Sequence, residues 1–74
     1  MPSYGIYLSQ LLRVCRICTN INDFYEAMDK ITKEFLNKGF SKGLLAKQFK
    51  KFIGLYEVEW CKFGVLPELP SSIK

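Results

Sequence analysis

The chain has 74 residues, a net charge of +4, three cysteines and no histidine. A chain this short forms at most one small domain of marginal independent stability, because it buries only about 60% of its unfolded surface. A hydrophobic share of 49% with 15% aromatics argues against disorder, and the odd cysteine count excludes a framework in which every cysteine is paired within the chain.

The first predicted helix spans residues 7–18. Leu8, Leu11, Leu12, Cys15 and Cys18 follow the i, i+3, i+4, i+7 pattern and form one apolar stripe, with Arg13 and Arg16 on the far side. Ile6 and Ile17 lie roughly opposite that stripe and Val14 falls between. A helix with two apolar sides expects cover on both, and a bundle of this size covers only one well. Part of a larger protein is therefore expected, and Met1-Pro2 reads as a start inside a longer frame. Ser9, Gln10, Arg13 and Arg16 break any signal-peptide core, and no apolar run approaches membrane-spanning length. With the cysteine usage, this predicts a reducing compartment, cytoplasmic or nuclear, and no membrane partner.

The second helix starts near Asn20 or Asn22. With Asn20 as the cap, Asp23 falls at N3, where a carboxylate is favourable. Ile21, Phe24, Met28, Ile31 and Phe35 make a helical stripe, with acids early and lysines late, as the helix dipole prefers. Gly39 fits the left-handed position after the helix, and Phe40 is placed to touch Phe35 in a Schellman-type stop. Ser41 then caps a third helix. On it Leu45, Phe49, Phe52 and Tyr56 share one face, while Lys47, Lys50 and Lys51 lie opposite. Gly54 is placed to bend or break that helix. Residues 55–63 alternate in a way that suits a strand, but no partner strand is evident and helix is the reading preferred. Gly64-Val65 repeats the stop chemistry of Gly39-Phe40. The expected architecture is an all-α unit of three to four helices over residues 1–65, followed by an extended C-terminal tail over 66–74.

No constellation supplies a reaction. Cys15-x-x-Cys18 lacks the further ligands of a zinc site, since only Cys61 remains, and it sits on a helical apolar stripe rather than at a strand-to-helix junction. Asp23, Glu26 and Asp29 stand where capping and dipole effects already place acids. No phosphate loop, dinucleotide fingerprint or nucleophile–histidine pair occurs. No catalytic residue, metal, cofactor or small-molecule substrate is assigned.

The lysine face is the remaining chemistry. Between Glu34 and Glu57 there is no carboxylate, yet Lys38, Lys42, Lys47, Lys50 and Lys51 fall inside. Solvated helix faces usually mix signs, so this run points to backbone phosphates of RNA or DNA. A helix-turn-helix across Gly39 is an alternative, although lysines position on phosphates better than they specify bases. The other alternative is a protein-interaction module that docks through Ile6, Val14 and Ile17.

One ordered set of residues is familiar. It begins with Tyr4-Gly5-Ile6-Tyr7-Leu8-Ser9-Gln10-Leu11-Leu12-Arg13, then Arg16-Ile17-Cys18 and Asp23-Phe24. Leu36, Gly39-Phe40, Leu45, Phe49, Lys51-Phe52 and Gly54 follow without gaps. The set resembles the region just downstream of the palm in reverse transcriptases of non-viral retroelements, over about residues 2–65. Its nearest look is to invertebrate retroelement proteins, and Penelope-like elements carry a looser version. The resemblance implies a thumb-like or connecting helical region of an RNA-directed DNA polymerase that helps hold template and primer. The missing palm would be its partner. The family's Tyr-x-Asp-Asp motif is absent, so polymerisation by this chain alone is not expected. Leu55 stands where such proteins often carry a basic residue, and Val14-Cys15 replaces an aromatic-plus-small pair; neither position carries the family contact over. Lys47, Lys50 and Lys51 are the leading candidates for phosphate contact, with Lys42, Lys38, Arg13 and Arg16 behind them.

Overall fold

Two polar caps and two left-handed glycines set most of the helix boundaries. The computed structural model describes residues 4–74, so the start signal at Met1-Pro2 lies outside the described residues. In order come α1 (Tyr4–Ile17), α2 (Ile21–Asn37), α3 (Lys42–Leu55) and α4 (Glu57–Trp60). Short 3-10 turns follow at Cys61–Phe63 and Ser71–Ile73. No strand occurs among the described residues. The unit is all-α, as expected.

At the start of α2 the Asn20 side chain accepts from the Asp23 N–H at 2.9 Å and donates to the Asp23 carboxylate at 2.9 Å. At its end Gly39 adopts φ 93°. Its N–H reaches Leu36 O at 3.0 Å, and the Phe40 N–H reaches Phe35 O at 3.1 Å, which is the Schellman pair. The Phe35 and Phe40 rings meet edge-on with centroids 4.8 Å apart. Both the predicted stop and its hydrophobic contact are present.

The core draws Tyr7, Leu11 and Cys15 from α1, Phe24, Met28 and Phe35 from α2, and Leu45, Phe49 and Phe52 from α3. One polar pair is sealed inside it. Thr32 donates its hydroxyl to Met28 O at 2.7 Å, so the single remaining proton between the two hydroxyls is that of Tyr7, which donates to Thr32 Oγ1 at 2.7 Å. Burial pushes the Tyr7 phenol above its ordinary value. No buried side-chain nitrogen or oxygen among the described residues lacks a partner.

Of three sequence expectations, two are corrected and one holds. First, α1 begins at Tyr4 rather than Tyr7, and its buried line is Tyr7–Leu11–Cys15, with Leu8, Leu12 and Cys18 only half-buried beside it. Tyr7 takes the central place because Thr32 satisfies its hydroxyl and the Phe35 ring meets its edge at 5.2 Å. Second, the second apolar side of α1 stays uncovered, as a bundle able to cover only one side implies: Ile6 is 53% and Ile17 68% exposed, with Val14 half-buried. Third, α3 breaks at Tyr56 (φ −121°, ψ 35°), two residues after Gly54. The helical reading of the following segment holds, through α4 and a 3-10 turn that ends at Gly64 with φ 75°.

The tail has no regular structure from Val65 to Pro70, then turns back on the bundle. Pro67, Pro70 and Ile73 are buried. Tyr25 OH accepts from the Glu68 N–H at 3.2 Å, while Asp29 accepts from Ser72 through its N–H at 3.2 Å and its hydroxyl at 2.6 Å. The chain's radius of gyration is 11.3 Å. A folded chain of this length is expected near about 11 Å.

Candidate nucleic-acid interface

The orientation of α3 follows from how its first residues are held. The Ser41 hydroxyl accepts from the Leu44 N–H at 3.4 Å, and the Ser41 N–H donates to Tyr4 OH at 3.1 Å. The Tyr4 ring meets Phe40 at 4.8 Å. These contacts tie the start of α3 to the start of α1. With Leu45, Phe49 and Phe52 turned inward, a step of about 100° per residue turns Lys47, Lys50 and Lys51 outward. All three are exposed, as is Lys42 in the first turn.

The ion pairs among the described residues are Arg16–Glu59 at 2.9 Å and Lys33–Asp29 at 3.0 Å. Lys42, Lys47, Lys50 and Lys51 therefore face solvent with no carboxylate partner among those residues. Lys38, at the end of α2, lies 5.6 Å from the centroid of the Phe35 ring and is likewise unpaired there. The two α1 arginines divide. Arg13 is exposed and has no acid partner among the described residues. Arg16 sends both Nε and Nη2 to Glu59 Oε1, at 3.1 and 2.9 Å, and that bond raises its pKa. Of the seven predicted phosphate contacts, three lysines share the outer face of α3 and Lys42 stands at its start. Lys38 precedes the joint, and Arg13 and Arg16 belong to a different helix. Lys62, not singled out in the sequence, donates to Arg16 O at 3.4 Å and lies 5.2 Å from the Phe63 ring centroid.

Beside Lys50 there is an apolar hollow that sequence reasoning missed. Its walls are Phe49, Lys50 and Ile53 of α3, and Leu66, Pro67 and Leu69 of the tail. A signal existed in the tail, where Leu66, Leu69 and Ile73 step by three and four. Prolines and serines concealed it.

The other candidate chemistry is occupied structurally. All three cysteines are free thiols; Cys15 is buried, Cys18 half-buried and Cys61 exposed. Burial pushes the Cys15 and Cys18 thiols up, the opposite of what a reactive thiolate needs. No group of three or more metal-ligating side chains gathers among the described residues. Asp23 serves the α2 cap, and Asp29 holds the tail. No described helix is long and apolar enough to cross a membrane. Comparison with protein-family models, with curated proteins and with solved structures returns no match.

Proposed function

We propose that this helical unit holds RNA or DNA by its backbone phosphates, as a non-catalytic, thumb-like part of a reverse-transcriptase-type polymerase whose palm lies elsewhere. One observation carries the reading: Lys47, Lys50 and Lys51 stand exposed on one face of α3, in a stretch without carboxylates and without ion-pair partners among the described residues. Point charges of this kind grip phosphates without reading bases. The resemblance of residues 2–65 to the segment downstream of a retroelement palm supplies the template–primer as ligand. Cysteine usage supports a reducing, cytoplasmic or nuclear setting.

Fluorescence anisotropy on an RNA–DNA duplex at several salt concentrations tests this. Three to five phosphate contacts give a log–log salt slope of about −3 to −4.5 on duplex DNA. Lys47→Glu combined with Lys50→Glu reverses two exposed charges and leaves the core alone, so binding should collapse while the circular dichroism spectrum persists. Weak binding that ignores both salt and this double change would sink the reading. A second reading has its own observation, the exposed Ile6 and Ile17 on α1. If Ile6→Lys plus Ile17→Lys disrupts association with a co-expressed palm while duplex binding stays unmeasurable, the unit is a protein-docking module instead.

A further inference from the structure

The lysine face of α3 does not end in solvent on every side. Around the helix from the buried Phe49, the order is Ile53, Lys50 and then Lys47, at steps set by about 100° per residue. The hollow described above opens on the Ile53–Lys50 side, so it adjoins the row of lysines directly. Its volume is about 260 Å³. Clefts for drug-sized ligands run to about 300–1,000 Å³, so this one suits a single flat ring rather than the face of a helix.

Its lining is one-sided in chemistry. Phe49 and Pro67 are buried, Ile53 and Leu69 are half-buried, and Leu66 stands 62% exposed at the rim. Among the described residues, Lys50 contributes the only charged side chain of the lining, and no carboxylate lines the space. The tail wall is held in place. Tyr25 bonds the Glu68 N–H, Asp29 bonds Ser72 twice, and Ile73 is buried beyond them.

We infer that this hollow receives one unpaired nucleobase of a single-stranded overhang, with the adjoining phosphate on Lys50. This rests on the reading of α3 as a phosphate-holding face. An unpaired base has two apolar faces to bury and a polar edge that stays toward water at the open side. A paired base inside a duplex cannot enter, because its faces are already stacked. The neighbouring charge matches as well: phosphate is the anion that every nucleotide carries with it, and Lys50 forms no ion pair among the described residues. The site therefore distinguishes the end of a duplex from its middle.

Three probes test it: a blunt RNA–DNA duplex, the same duplex with a short single-stranded overhang, and that overhang with abasic sugars. The intact overhang should bind about threefold tighter or more than the other two, since a lining that is mostly aliphatic, with Phe49 itself buried, gives less than an exposed aromatic stacking platform. Leu66→Ser should erase that advantage and leave blunt-duplex affinity unchanged. Leu55→Ser, at a position equally exposed at 62% but outside the hollow, should preserve it. Lys50→Gln should weaken all three probes. Equal affinity for base-bearing and abasic overhangs, with steep salt dependence retained, overturns the inference and leaves the phosphate reading standing. No binding to any probe overturns both.

Discussion

At the start of α3 the chain is stopped, turned and restarted within residues 38–41, through the left-handed Gly39, the Phe35–Phe40 ring contact and the Ser41 cap. At its other end Tyr56 interrupts the helix with no side-chain cap bond. What fixes that second joint is a pair of side-chain bonds: the Trp60 indole N–H donates to Ile53 O at 3.0 Å across the break, and Glu59 receives Arg16 of α1, 43 residues back. Leu55 and Val58 beside it are 62% and 88% exposed. The first joint is specified mainly by neighbours in sequence, with Tyr4 of α1 added at the Ser41 N–H and the Phe40 ring. The second is specified by side chains that must already be packed, so it should loosen first and be the more tolerant of change.

The largest expected effect falls on the first joint. Gly39→Val places a β-branched residue at φ 93°, and because nothing among the described residues lies within 4 Å of the added Cβ, backbone strain is the main cost. A loss of about 1–3 kcal/mol in urea denaturation is expected. A loss near zero would show that the joint yields as easily as the second. Trp60→Phe comes next. It keeps the aromatic ring and removes the bond to Ile53 O, and should lower stability by about 1 kcal/mol, read by circular dichroism.

Gly54→Ala should act in the opposite direction. Gly54 lies inside α3 with open space around it, so alanine adds about 0.5–1 kcal/mol of stability and extends order toward Tyr56. A destabilised Gly54→Ala would mean that the second joint needs a weak helix end. The smallest effect concerns the tail. Bonds from Ser72 and Lys33 hold the Asp29 carboxyl below its ordinary value of 3.8. A carboxyl depressed in the folded state contributes stability above its unfolded pKa, and that contribution fades as pH falls through the folded value. Acidification from pH 6 should therefore destabilise the native chain slightly more than Asp29→Asn, and the difference should vanish in strong acid.

The same contrast explains what could be read from the sequence. Asn20 with Asp23, and Gly39 with Phe40 and Ser41, were legible because each acts on backbone within a few residues. The outward turn of Lys47, Lys50 and Lys51 was legible because the apolar stripe of α3 fixes the opposite face. Tyr7 was not, since its place in the core depends on Thr32, 25 residues away. Arg16 was grouped with the phosphate candidates because its partner Glu59 lies 43 residues further on. The hollow beside Lys50 was hidden for the same reason: one wall comes from α3 and the other from a tail whose prolines and serines concealed the spacing of Leu66, Leu69 and Ile73.

Trp60 is the chain's single tryptophan. Its indole N–H is bonded across the second joint, so the protein carries its own optical gauge at the place predicted to open first. Indole emission reports the separation of α4 from Ile53, whereas the far-ultraviolet signal counts mainly the turns of α1, α2 and α3. If the two signals part during a slow titration with denaturant, the fluorescence midpoint dates the opening of one peptide-length contact. No label or substitution is needed to see it.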